Sequence, residues 1–132
     1  MDTTSTIVAP ATPIAPGSRA VVRLSGPAAF DVINAIADED LDRSRGVGPL
    51  RLRLPVGVVP TLAIRMPGPT TYTGEDAVEL LLPGSPTLID AVVRALIAHP
   101  QARHAEAGEF TARAYLNGRL TLEQAEGVAD SD

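Results

Sequence analysis

Residues 77–97 read AVELLLPGSPTLIDAVVRALI, a strand pattern followed directly by an amphipathic helix pattern. The first six residues are almost all aliphatic and too few for a helix, so they predict a buried strand. Ser85-Pro86 then supplies an N-cap and a proline at the first helical position. Apolar side chains recur at helical spacing up to residue 97, and His99-Pro100 ends the helix because a residue before proline avoids the α region. This unit predicts an α/β domain.

The same two patterns recur on both sides of this unit. We predict the other strands at residues 7–9, 20–24, 50–54 and 61–66, and the other helices at residues 27–37, from residue 109 to Asn117-Gly118, and from the capping box Thr121-Leu-Glu-Gln124 onward. The polar, proline-rich residues 67–76 predict a structured loop. We therefore expect the α/β (α+β) class, with a mixed sheet of about five strands and three or four helices.

The composition indicates a folded, soluble domain and excludes several chemistries. The chain has 132 residues, a net charge of −5, no cysteine, and 11 basic residues that are all arginine. Without lysine there is no phosphate loop of the GTPase type and no Schiff base, and without cysteine there is no thiol nucleophile or disulfide. We expect no GTP hydrolysis, no G domain, no membrane association and a cytoplasmic location.

The acidic balance also indicates what the chain does not bind. Only two tyrosines, two phenylalanines and no tryptophan are present to stack on bases, and the charge is negative overall. Nucleic-acid binders need a basic surface and aromatic platforms. We therefore expect no direct nucleic-acid binding by this chain.

Two charged residues stand inside apolar strand patterns. Glu79 lies among Val78, Leu80 and Leu82, and Arg23 follows two valines in the strand predicted at residues 20–24. A buried carboxylate or guanidinium needs a partner, because an isolated buried charge is costly. Two interpretations remain open: a structural ion pair between Arg23 and Glu79, or binding of each to a ligand.

The other charged positions allow weaker interpretations. Glu75, Asp76 and Glu79 are close in sequence, so they are candidates for a metal site or for an acid and base pair, as well as for solvated loop charges. Arg113 and Arg119 flank the predicted helix stop at Asn117-Gly118, where isolated arginines are usually surface residues.

Three segments carry a family resemblance. They are residues 6–13 together with Arg23-Leu-Ser-Gly26, residues 67–80, and residues 108–130, which read GEFTARAYLNGRLTLEQAEGVAD. In this order they resemble the N-terminal domains of the MnmE (TrmE) family of tRNA modification GTPases, over nearly the whole chain. We accordingly assign residues 1–120 to a TrmE-N-like domain and residues 121–132 to the start of a truncated helical segment.

The resemblance implies a fold similar to the folate-binding aminomethyltransferase domains. It implies binding of a tetrahydrofolate such as 5-formyltetrahydrofolate, the proposed one-carbon donor, with contacts from Arg23, Glu79 and Arg119. It also implies a homodimer, with a full-length relative or an FAD-dependent tRNA-modification enzyme as a further partner. In that family the full enzyme modifies the wobble uridine of certain tRNAs.

The sequence departs from the family pattern in four places. The glycine-rich turn is replaced by residues 14–20, and the His-Gly-Gly after the Val-Glu-Leu strand is replaced by Pro83-Gly84-Ser85. The Pro-Gly-Glu-Phe turn has become Ala107-Gly108-Glu109-Phe110, and Arg119 replaces a lysine. Glycines that make room for a ligand cannot be exchanged freely, because a side chain occupies that room. The alternative is therefore a dimerisation or interaction domain that does not bind folate.

Overall fold

The computed structural model of the chain describes residues 2–11 and 19–131, so the altered turn at residues 14–20 lies for the most part outside the described residues. The elements, in chain order, are β1 (Thr6–Ala11), β2 (Arg19–Ser25), α1 (Ala29–Asn34), β3 (Gly46–Leu54), β4 (Gly57–Met66), β5 (Ala77–Pro83), α2 (Pro86–Ile97), β6 (Ala102–His104), α3 (Glu109–Leu116) and α4 (Leu122–Ser131). The predicted α/β class and mixed sheet are confirmed.

The six strands form one sheet in the order β3-β4-β5-β2-β1-β6. All neighbours are antiparallel except β1 and β6, which are parallel. Leu54 pairs with Gly57, so a two-residue turn closes the β3–β4 hairpin. Strands β3 and β4 are longer than the segments predicted at residues 50–54 and 61–66. Their backbone hydrogen bonds continue where the alternation of apolar and polar side chains weakens.

Side chains alternate between two unlike faces of the sheet. On one face, α1 and α2 cover the aliphatic side chains of β2, β3 and β5, including Leu24, Leu52 and Leu80. The opposite face, which we call the open face, carries Arg23 and Glu79 and remains partly exposed along the centre of the sheet. Because side chains alternate along a strand, burying the aliphatic set on one face places the intervening residues on the other.

Helix α1 is shorter than predicted. The periodic pattern of residues 27–37 predicts a helix from Pro27, whereas the helix spans Ala29–Asn34. Its first turn has no capping side chain of its own. Instead, the backbone N–H of Ala28 donates to Thr6 Oγ1 of β1 at 2.9 Å. The hydroxyl of a buried threonine, on a strand far away in sequence, thus accepts the hydrogen bond that a neighbouring capping side chain would otherwise accept.

The predicted ends of the other helices are confirmed. Ser85 Oγ accepts from the Leu88 backbone N–H at 3.3 Å and caps α2. Helix α3 ends at Asn117, and Gly118 follows with a φ of 74° in the left-handed region. At α4, Thr121 and Gln124 exchange side-chain and backbone hydrogen bonds of 2.9 and 3.1 Å, as a capping box requires.

The sixth strand, β6, has no counterpart in the sequence expectations. It is three residues long, Ala-Arg-His, and carries no apolar alternation. It becomes a strand because it pairs in parallel with β1, a long-range contact that a local pattern does not record. No helix within residues 2–11 and 19–131 is long and apolar enough to cross a membrane.

Candidate functional site

A pocket of about 420 Å³ opens at one end of the open face. Its floor comes from β2, β4 and β5, and its walls come from the loop of residues 67–76 and from the α3 region. The lining residues include Arg23, Ser25, Met66, Tyr72, Glu79 and Phe110. Its volume is in the range of small-molecule sites, and its mixture of apolar and charged groups is typical of them.

Arg23 and Glu79 form an ion pair in this pocket. They are cross-strand neighbours in the register of β2 and β5, and Arg23 Nε donates to Glu79 Oε2 at 3.0 Å. Of the two interpretations of these residues, the direct ion pair is present. The expectation that both are buried is wrong, because the side chains are 57% and 25% exposed. Both lie on the open face, which the helices do not cover.

This ion pair uses only part of the hydrogen-bonding capacity of the two side chains. Within the described part of the chain, the two terminal nitrogens of Arg23 donate no hydrogen bond and Glu79 Oε1 accepts none. A guanidinium has five N–H donors and a carboxylate has about four acceptor positions. The pocket therefore presents free donors beside a free carboxylate oxygen.

The loop of residues 67–76 is structured, as predicted, and its side of the pocket is preformed. Ser25 Oγ on β2 lies 2.6 Å from Thr73 Oγ1 and donates to Glu75 Oε1 at 2.9 Å. From the α3 side, Tyr72 Oη lies 3.0 Å from Thr111 Oγ1, and Asn117 Nδ2 donates to the Thr73 carbonyl at 2.8 Å. Because the loop is hydrogen-bonded to β2 on one side and to the α3 region on the other, this wall of the pocket is held in place without a ligand.

Arg113 lies at the centre of a buried charge network behind this wall. Its side chain is fully buried; Nη1 donates to Glu75 Oε2 at 3.2 Å and Nη2 to Glu109 Oε2 at 3.1 Å. The expectation that Arg113 is a surface residue is therefore wrong. It is buried where α3 meets the loop, between Glu75 of the loop and Glu109 of α3. The contact with Glu75 is a long-range arrangement that the isolated sequence position does not reveal.

The same network reaches the start of the chain. Arg103 of β6 donates to both carboxylate oxygens of Glu109, at 2.8 and 2.6 Å, and to the backbone carbonyl of Asp2. Burial raises the pKa of Glu109, but hydrogen bonds from Arg103 and from the Glu106 backbone outweigh it and hold that pKa below its ordinary value. Hydrogen bonding to Glu109 raises the pKa of Arg103. Glu109 is therefore a buried, ionised link between two arginines.

The structure does not bring Arg119 into the pocket with Arg23 and Glu79. Arg119 Nε donates to the Thr71 carbonyl at 3.0 Å, and its side chain lies beside Gly74 on the α3–α4 side of the loop. It is not among the residues that line the pocket. Its position favours a role in fixing the loop.

The metal hypothesis for Glu75, Asp76 and Glu79 is wrong. Each carboxylate has a different protein partner: Glu75 pairs with Arg113, Asp76 Oδ1 accepts from the Gly68 backbone N–H at 2.8 Å, and Glu79 pairs with Arg23. Among the residues that the structure describes, no group of three potential ligands is placed to hold a metal ion. Sequence proximity at a loop-to-strand junction does not make the side chains converge.

Sequence reasoning overlooked Ser25 and Thr73, which connect β2 to the loop, and it assigned no role to Glu109. One signal for the network was present, because Glu109 and Arg113 are four residues apart on a predicted helix and therefore share a face. No local signal indicates the contact of Ser25 with Thr73, since 48 residues separate them.

Comparison with known proteins agrees with the sequence resemblance. Residues 6–119 match the family model described as GTP-binding protein TrmE N-terminus. The tRNA modification GTPase MnmE of Nitratidesulfovibrio vulgaris (strain DP4) is 44% identical over 131 residues, covering 95% of this chain and 28% of the relative. The protein of the same name from Yersinia pseudotuberculosis serotype O:1b is 40% identical over 132 residues, covering 98% of this chain and 29% of the relative. The chain spans less than a third of the length of these curated relatives.

Proposed function

The chain belongs to the family of TrmE N-terminal domains, and on that basis we propose that it is a tetrahydrofolate-binding module that forms homodimers. The proposed ligand is 5-formyltetrahydrofolate or a related tetrahydrofolate, which supplies a one-carbon unit when bound. The module holds this carrier and contributes no catalytic residue of its own. Its relatives are named tRNA modification GTPases, so its proposed context is tRNA modification alongside a full-length relative or an FAD-dependent partner enzyme.

The observation that carries the proposal is the incompletely bonded pair of Arg23 and Glu79 on the pocket floor. A pterin ring presents adjacent N–H donors, which suit the free Oε1 of Glu79. The terminal nitrogens of Arg23 suit the carbonyl oxygens of the ring or of the one-carbon group. Apolar surface from Met66 and Phe110 is available to the flat ring. The donor set and the volume of the pocket therefore fit this class of ligand.

The resemblance also supports the homodimer, and the surface of the β3–β4 hairpin is compatible with it. Val56 and Val58 at its tip are 69% and 49% exposed. Neighbouring exposed aliphatic side chains favour association with another protein surface. Sedimentation equilibrium tests this part of the proposal directly: a species of twice the chain mass is expected, and a monomer at all concentrations contradicts it.

Calorimetric titration with 5-formyltetrahydrofolate tests the binding proposal. We expect Glu79→Gln to weaken binding about 10- to 100-fold, because it removes one charge-assisted acceptor from the pterin. Arg23→Ala should weaken binding as well. The matched controls are Asp90→Asn and Arg94→Ala, since these residues form an exposed ion pair of the same type on α2, behind the sheet.

The controls decide the meaning of each result. Binding by wild type and both controls, with loss in the Arg23 and Glu79 variants, supports the proposal. If titration of the wild-type protein releases no heat and the protein retains no ligand in equilibrium dialysis, folate binding is refuted. The alternative, a dimerisation or interaction domain that does not bind folate, then remains.

A further inference from the structure

A second groove lies on the open face, beyond the folate pocket. It has a volume of about 480 Å³ and is lined by Arg19, Pro60, Thr61, Leu62, Leu81, Leu82 and Pro83. The two cavities thus share the face of the sheet that α1 and α2 leave uncovered. Neither the ion pair nor the charge network of the first site extends to this groove.

The register of the strands aligns the groove with the pocket. Arg23 pairs with Glu79 and Arg19 pairs with Pro83, so the two arginines lie on the same face of β2, four residues apart. At the rise of a β-strand this is about 13 Å. Leu81 and Leu62 pair with each other between these two rows and form an apolar floor. A ligand extended along β5 would pass from the charged pair, across aliphatic surface, to Arg19.

The groove holds a cation without a carboxylate partner. Arg19 is exposed and forms no ion pair within the described residues, in contrast to Arg23. Arg51 on β3 is the cross-strand neighbour of Pro60 and likewise forms no ion pair in the described part of the chain. The apolar groove therefore has Arg19 in its lining and Arg51 in the cross-strand position next to Pro60, on the strand beyond it. Guanidinium groups bind carboxylates through paired hydrogen bonds.

We propose that this groove is the subsite for the acidic tail of the folate, with the benzoyl ring on Leu62 and Leu81 and the glutamate carboxylates on Arg19. The inference rests on the proposed function. A folate has a flat pterin at one end, an aromatic ring in the middle and carboxylates at the other end. The open face presents groups complementary to each part in the same order. Arg119 lines neither cavity and lies beside Gly74, so we assign the tail to Arg19 rather than to Arg119.

The subsite makes the protein selective for folates with several glutamates. Each added γ-glutamate adds a carboxylate, and Arg51, the cross-strand neighbour of Pro60, is a second cation that a longer tail can reach. The proteins to be compared are wild type, Arg19→Ala, Arg19→Lys and the control Arg94→Ala. The ligands are the triglutamate and monoglutamate forms of 5-formyltetrahydrofolate and a 5-formyltetrahydropterin without a tail.

We expect wild type to bind the triglutamate most tightly and the tailless pterin most weakly. Arg19→Ala should weaken triglutamate binding about 3- to 10-fold, the range for an exposed charge-assisted contact, and should leave the tailless pterin unaffected. Arg19→Lys should restore part of the loss, and Arg94→Ala should match wild type. Arg19 is exposed, so these variants are expected to fold, which circular dichroism checks.

The outcomes separate this subsite from the function on which it rests. Unchanged triglutamate binding by Arg19→Ala, with the pterin still bound by wild type, overturns the subsite and leaves the pterin site intact. If sedimentation then shows a dimer that Arg19→Ala weakens, the groove belongs to a second copy of the chain. Failure of wild type to bind any of the three ligands overturns both proposals.

Discussion

Two arginines serve the proposed site in opposite physical situations. Arg23 is largely exposed and makes one hydrogen bond to Glu79, so most of its donors are available to a ligand. Arg113 is fully buried and donates to Glu75 and Glu109. An exposed pair contributes little to stability, whereas removing one member of a buried pair leaves an uncompensated charge. We therefore propose that Arg23 acts in ligand recognition, whereas Arg113 stabilises the pocket wall.

Replacing Arg113 tests this division of roles. Arg113→Met keeps a long apolar side chain but leaves Glu75 without its cation, so the free energy of unfolding should fall by about 3 kcal/mol. Arg94→Met, which breaks an exposed pair on α2, should change it by less than about 1 kcal/mol. Urea denaturation measures both. Similar small losses in the two variants would show that the buried network does not stabilise the fold.

Glu109 gives the fold a defined sensitivity to acid. The pKa of Glu109 is lowered in the folded protein, so on acidification the unfolded chain takes up this proton first. The stabilisation is present above the ordinary carboxyl pKa, near 4.3, and is lost as the pH falls towards the lower folded value.

The difference in stability between wild type and Glu109→Gln should therefore be large at pH 7 and shrink by pH 3. Urea midpoints at a series of pH values measure it, with the exposed Glu123→Gln as control. A difference that stays constant over this range would show that ionised Glu109 does not contribute.

At the scale of elements, the loop of residues 67–76 is held from several directions. Arg45 donates to the Pro67 and Thr70 carbonyls at 3.0 and 2.7 Å. From the α3 side, Asn117 and Arg119 donate to two further carbonyls of the loop. The α3–α4 turn approaches the loop closely at Gly74, which has a φ of 81°. The loop therefore depends on close backbone approach as well as on hydrogen bonds.

Two glycine substitutions separate these contributions. Gly74→Ala and Gly118→Ala both place a methyl group on a backbone in the left-handed region, which costs about 1 kcal/mol. At Gly74 the new Cβ would also lie 3.0 Å from Asn117 Cβ, whereas at Gly118 it meets no atom within 4 Å. We expect the larger loss of unfolding free energy, and a loss of folate binding, in Gly74→Ala alone. Equal losses in thermal melting would contradict close packing at Gly74.

The elements whose signals are local could be predicted from the sequence. Helix α2 shows its cap, its proline and its stripe within a dozen residues, and the structured loop shows its prolines and glycines. The short strand β6 and the burial of Arg113 could not be predicted, because both arise from contacts with residues far away in sequence. The sequence also indicates that Arg23 and Glu79 need a partner, because both interrupt apolar strand patterns. Which face of the sheet they occupy depended on where the helices pack.

At the scale of the whole molecule, one sheet separates two kinds of surface. The face under α1 and α2 is aliphatic and closed, and it provides the hydrophobic stabilisation of the domain. The open face carries the Arg23 and Glu79 pair at one end and Arg19 at the other, with aliphatic side chains between them. Function is therefore proposed for the open face alone, and changes on the covered face should act through stability.

The central claim is that a tetrahydrofolate binds on the open face at Glu79, and a ¹⁵N–¹H NMR titration with 5-formyltetrahydrofolate tests it most directly. The account predicts that the backbone amide signals of Ser25, Thr73 and Glu79, and the Nε–H signal of Arg23, shift and saturate. Signals from α2 on the opposite face should stay in place. An unchanged spectrum, or shifts confined to α2, would contradict the claim.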